Sequence, residues 1–175
     1  MAVFASGTLI SGAAFAGEEA FSTGPVFTAF GPAAAVETDF DIPQDMTLRT
    51  SFDVSRGADV GSRNRTFESA ARFINMHVRA GMSLDKMKLA IVVHGSAVHD
   101  VAVASHYAEA VGGENANADL IDALIAKGVR IIVCGQSAAY YDVENAELLP
   151  GVEMALSAMT AHAVLQQQGY AVNPF

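Results

Sequence analysis

From residue 47 the apolar positions along the chain fall into a regular rhythm. "TLRTSFDV" (47–54) alternates Leu48, Thr50, Phe52 and Val54 with the residues between them, which predicts a strand. A polar loop, "SRGADVGSRNR", follows. "TFESAARFINMHVRA" (66–80) places Phe67, Ala70, Ala71, Ile74, His77 and Val78 on one helical face, and Gly81 ends the helix. "KLAIVVHG" (88–95) is apolar through five consecutive positions, the pattern of a strand covered on both faces. A second helix is expected over about 100–111. A third, "NADLIDALIAKG" (117–128), is opened by Asn117 as cap and stopped by Gly128. Strands are then expected at 129–134, 150–157 and 170–172, with a helix over 158–169.

Three helices end in glycine with a strand following directly or after a short loop. That succession is βα rather than hairpin, so the expected fold is α/β, with a mostly parallel sheet and helices on both faces. In such a sheet ligands collect beyond the carboxyl ends of the strands. His94, Cys134 and Ser157 each close a predicted strand. Adjacent strands lie about 4.8 Å apart, so the His94 imidazole can approach the Cys134 sulfur.

The chain before residue 47 has no such rhythm. Residues 2–16, "AVFASGTLISGAAFA", are small and apolar and end in an Ala-x-Ala pattern, as an export signal does, although no Lys or Arg precedes them. The other reading of 1–16 is an apolar arm. Residues 17–46 are rich in Gly-Pro and Ile-Pro steps and read as an extended arm. Phe21, Val26, Phe27 and Phe30 make it too hydrophobic for a free linker, so it should lie on its own domain or on another protomer.

Composition narrows the function. At 175 residues and 51% apolar, the chain can bury one core without disulfides or a metal. Nineteen acidic residues against ten basic ones give a net charge of -9, which disfavours nucleic acid and anionic lipid surfaces as partners. No Cys/His set has metal-ligand spacing, and no His-Glu-x-x-His motif is present.

The single cysteine, Cys134, stands where "VRIIVC" gives way to Gly135-Gln136-Ser137. Amide groups of that turn could stabilise a thiolate, Gly135 lets the backbone approach the sulfur, and Gln136 and Ser137 add side-chain hydrogen bonds. A cysteine ending a core strand is equally well explained as packing, and the residues alone leave both readings open. The Gly95-Ser96 turn after His94 could cradle a small anion or be an ordinary βα turn. Ser137, His94 and Asp142 could be assembled into a Ser-His-Asp set, but no G-x-S-x-G elbow supports it. His99, His106 and His162 read as surface or hydrogen-bonded residues.

"KLAIVVHGSA", "NADLIDALIAKGVRIIVCGQSAAYY" and "LLPGVEMALSAMTAHAVLQQQGYAVNPF" together resemble the DsrE/DsrF-like (YchN-like) superfamily, in its exported single-domain branch. The likeness spans about residues 47–175. It implies a three-layer α/β/α domain with a five-stranded, mostly parallel sheet of flavodoxin-like type, assembled as trimers or hexamers. It also implies sulfur handling, with sulfane sulfur carried as a persulfide on Cys134 and no cofactor or metal. The catalytic residues expected are Cys134 and His94, with Gly95, Ser96, Gly135, Gln136 and Ser137 binding the ligand. The expected partners are a small sulfur species or a sulfur-relay protein, in the periplasm or outside the cell, with no membrane contact once mature. The alternative is a non-catalytic ligand-binding or assembly module with its pocket at the same strand ends.

Overall fold

The computed structural model describes residues 17–43 and 45–173, and the apolar segment 2–16 lies outside them. In the arm, β1 (Phe21–Ser22) and β2 (Ala33–Ala34) form a short antiparallel ribbon. The domain follows as β3 (Leu48–Val54), α1 (Arg65–Arg79), β4 (Met87–Val93), α2 (Ala104–Ala110), α3 (Ala118–Ala126) and β5 (Arg130–Cys134). It ends with α4 (Gly135–Tyr140), β6 (Val152–Ala155), α5 (Ala158–Gln167) and β7 (Ala171–Asn173). The main sheet has five strands in the order β6-β5-β4-β3-β7, and every neighbouring pair is parallel. The α/β fold with a five-stranded parallel sheet is therefore the one the βα rhythm predicts.

Strand periodicity sorts the side chains into two layers. Phe52, Val54, Ile91, Val93, Ile131 and Val133 face the larger core, where α1 and α3 contribute Phe67, Ile74, Leu120 and Leu124. Ala90, Val92 and Ile132 face the other way, against Ala161 and Leu165 of α5. Burying a Phe or Leu side chain of this kind contributes about 1.5–3 kcal/mol, so the thicker layer dominates stability. The thinner layer, built of smaller residues, carries the site. Asp53 and Cys134 share the parity of its strand residues and stand at the carboxyl ends of β3 and β5.

Two elements differ from the sequence reading. The helix expected over 100–111 is divided into a 3-10 turn, Gly95–Val101, and α2. Between them the backbone is extended and pairs with the segment before β6: Val103 N donates to Glu147 O (2.7 Å) and Leu149 N to Val101 O (2.9 Å). Those bonds require a non-helical chain at 101–103. Asn117 stands at the start of α3 as expected but does not cap it; its Oδ1 accepts from Asn64 N at 2.7 Å. A tertiary partner has outcompeted the local one.

The arm lies on its own domain. Asn75 of α1, fully buried, accepts from Val26 N and Phe27 N and donates to the carbonyls of Phe27, Phe30 and Gly31. Arg79 donates to the carbonyls of Ser22, Gly24 and Ala33, and Arg72 to that of Pro32. Beyond the short β1–β2 ribbon and the Gly24–Phe27 turn, side chains of α1 satisfy backbone groups of the arm.

Candidate thiol site

Cys134 is the last residue of β5 and the residue before α4, so its sulfur sits where a strand turns into a helix. Gly135 makes that turn possible: a Cβ there would lie 2.7 Å from the Ala155 carbonyl oxygen of neighbouring β6. Cys134 is 6% exposed and lines a cavity of about 420 Å³ with Asp53, His94, Gln136, Ser157, Ala158, Met159 and His162.

Two influences compete at the thiol. Burial pushes its pKa up, but the Ser137 hydroxyl and the backbone N–H groups of Ser137, Ala158 and Gln136 together outweigh that and hold it below the ordinary thiol value. The donors come from two elements, the start of α4 and the start of α5. Ser137 is itself fixed, because its Oγ accepts from Gly95 N at 3.0 Å and its hydroxyl hydrogen is free to turn to sulfur. Gly95 has φ +54°, and a Cβ there would meet the Ser55 carbonyl oxygen at 2.3 Å, so the position requires glycine. Ser157 caps α5, accepting from Thr160 N at 3.0 Å, and with Ala158 brings the start of that helix to the cavity wall.

Beside the thiol, Asp53 joins two imidazoles. His162 Nε2 donates to Oδ1 at 2.7 Å, and His94 Nε2 lies 3.1 Å from Oδ2 and 3.2 Å from Oδ1. Burial would raise the Asp53 carboxyl, but the bonds from His162 and His94 and their charges outweigh it and hold the pKa below the usual carboxylate value. With Nε2 of His94 committed to Asp53, Nδ1 is the nitrogen left to exchange a proton.

The structure thus brings Cys134, His94 and Gln136 to one cavity, with Gly135 and Ser137 in the turn that shapes it. Gly95 and Ser96 act at one remove: Gly95 holds Ser137, and Ser96 Oγ accepts from Gly57 N at 3.0 Å. The carboxylate partner of His94 is Asp53, not Asp142, so the Ser137-His94-Asp142 arrangement is not formed. Asp53 and His162 are the residues that sequence reasoning missed. A signal for Asp53 was present: an acid at the carboxyl end of a strand, on the face opposite Phe52 and Val54. His162 carried none, because only the packing of α5 on the sheet brings it to Asp53.

Among the described residues no group of three or more His, Cys, Asp or Glu side chains is arranged to hold a metal ion. No described helix is long and apolar enough to cross a membrane.

The family model described as DsrE/DsrF-like matches residues 52–174. The chain belongs to the DsrE/DsrF-like family. Solved structures with the same fold include a protein of unknown function, MTH1491, from Methanobacterium thermoautotrophicum, with 19% identity and a TM-score of 0.50. That match covers 73% of this chain and 99% of the other. The YchN protein from E. coli is similar at 18% identity and a TM-score of 0.51, with 73% and 100% of the two chains covered. No curated protein matches the chain. The DsrE/DsrF-like family is associated in general with sulfur relay.

Proposed function

We propose that this protein carries sulfane sulfur as a persulfide on Cys134. The observation that carries the reading is the place of Cys134 at a cavity wall, where β5 turns into α4, with Ser137 and the starts of α4 and α5 holding its pKa below the ordinary thiol value despite burial. Donors aimed at a sulfur stabilise its anion, which is the nucleophile in sulfur exchange. In the loading step the thiolate attacks the outer sulfur of a donor persulfide, RS–SH. The Cys134 Sγ–S bond forms, the donor S–S bond breaks, and its electron pair leaves on RS⁻. An acceptor thiolate then takes the sulfur by the same exchange, so no net oxidation occurs and no cofactor is required. His94, and His162 through Asp53, handle the proton that the leaving and entering sulfurs exchange.

Export is supported by the apolar 2–16 segment with its Ala-x-Ala ending. Association of several copies is supported by the exposed apolar side chains of Met159, which lines the cavity, and of Tyr140 and Leu156, at 80%, 81% and 73% exposed.

The test is intact-mass measurement after treatment with inorganic polysulfide, with Cys134→Ser as control. The expected result is a gain of one sulfur that dithiothreitol reverses and the variant lacks. A thiol that stays unmodified, with ligand binding that survives Cys134→Ser, would instead make Cys134 the wall of a binding pocket.

A further inference from the structure

A second cavity, of about 600 Å³, opens on the same rim of the sheet and is formed by the loop from β3 to α1. Asp53 lines both this cavity and the thiol cavity, so the two are neighbours. Three of the chain's ten cationic side chains, Arg56, Arg63 and Arg65, stand around it. Arg63 is committed, with its guanidinium 3.4 Å from Glu68 and over the Phe30 ring. Arg56 and Arg65 form no ion pair among the described residues, although acids outnumber bases by nineteen to ten. Of the two acids in the lining, Asp53 is held by His94 and His162, which leaves Asp59 to oppose them.

The loop that presents these arginines is built on buried polar groups. Asp100, 1% exposed, accepts from Ala58 N at 3.0 Å and from Asn64 Nδ2 at 2.8 Å. The same Asn64 Nδ2 donates to the Arg56 carbonyl at 2.9 Å, and Gly57 N donates to Ser96. The backbone on either side of the cavity is therefore fixed, at Arg56 by the carbonyl and before Arg65 by Asn64.

We infer that this cavity holds the anionic body of the sulfur donor, and that the donor is a carboxylate-bearing organic persulfide about the size of a tripeptide. The assignment rests on the reading of Cys134 as a sulfur acceptor. Size argues against a bare inorganic sulfur anion: the ends of β5 and β3 are two strand spacings apart, about 10 Å, and the volume suits a small organic ligand. Charge argues for carboxylates, which guanidinium groups bind as a fork. The donor's sulfur would reach Cys134 past Asp53 while its carboxylates rest on Arg56 and Arg65.

The full chain is tested with two persulfide donors, glutathione persulfide and the carboxylate-free 2-hydroxyethyl persulfide, following sulfur gain at Cys134 by mass. The expected rate ratio favours glutathione persulfide about tenfold at low salt and falls to about one in the double variant Arg56→Ala, Arg65→Ala. In parallel, binding of the unreactive S-methylglutathione to Cys134→Ser is measured by calorimetry, with and without the arginine pair. Binding is expected, and expected to be lost with the pair; thermal melts confirm that the variants fold. Equal rates for both donors, or S-methylglutathione binding that is absent or indifferent to the arginines, overturns the carboxylate site. No sulfur gain from either donor, with arginine-dependent binding retained, overturns the role of Cys134 and leaves the site standing.

Discussion

Asp53 Oδ1 accepts a 2.7 Å hydrogen bond from His162 Nε2, joining the end of β3 to α5 across 109 residues of sequence. The same carboxylate holds His94, so one acid fixes two imidazoles beside the thiol. Its folded pKa lies below the ordinary carboxylate value, despite burial that would raise it, because both histidines favour the anion. A depressed carboxyl contributes stability above its unfolded pKa of about 3.9 and loses it as pH falls through the lower folded value. Asp53→Asn is therefore expected to be less stable than the parent at pH 5 to 6, with the gap closing below about pH 4. Urea midpoints across that range check it; a gap independent of pH removes the ionic role of Asp53.

The thiol gives a second pH dependence. Burial raises the Cys134 pKa, but Ser137 and the amides of Ser137, Ala158 and Gln136 lower it by more. Its iodoacetamide alkylation should thus reach half its maximal rate at a pH below the value of about 8.5 typical of a free thiol. Ser137→Ala removes the one side-chain donor and moves the midpoint up, slowing alkylation at pH 7 several-fold. It also strips Gly95 N of its acceptor, which costs about 1 kcal/mol in unfolding experiments. A midpoint that Ser137→Ala leaves in place assigns the effect to the amides alone.

The fold was legible because the strand and helix periods of residues 47–173 agree with their tertiary setting. β4 reads as buried on both faces, and it is the central strand. Cys134 was found from its place at a strand end before Gly135. What stayed hidden depends on contacts between distant segments: the Asp53–His162 bond, the diversion of Asn117 to Asn64, and the interruption of 100–111 by pairing with 147–149. Local pattern carries no information about these. The arm's hydrophobicity announced a docking surface, but only the polar contacts of Asn75 and Arg79 identify it as α1 of the same chain.

Gly135 tests the geometry of the turn. An added methyl would sit 2.7 Å from the Ala155 oxygen and 3.4 Å from that of Leu156, both backbone atoms of the β6 end that cannot swing aside. Gly135→Ala is expected to cost about 1–3 kcal/mol of stability and to push α4 away from β6. The amides of Gln136 and Ser137 would then turn from the sulfur, so the alkylation midpoint should rise with the loss of stability. A variant that keeps the parent's pH profile would show that the thiol does not depend on this turn.

The arm's contribution is concentrated in Asn75. Its side chain makes five hydrogen bonds to the backbone of residues 26–31, all from a fully buried position on α1. Asn75→Ala leaves several of those groups without partners, at about 1–3 kcal/mol for each that water cannot reach. The chain has a cheaper response, which is to release the arm and expose Phe27, Val26 and Phe30. A loss of about 3 kcal/mol in stability is expected, together with faster proteolysis within residues 17–43. Because α5 and the Cys134 side chain lie on the face of the sheet opposite α1, alkylation of Cys134 should keep its pH profile in this variant. Resistance to proteolysis equal to the parent's would mean that the arginine contacts of Arg72 and Arg79 suffice to hold the arm.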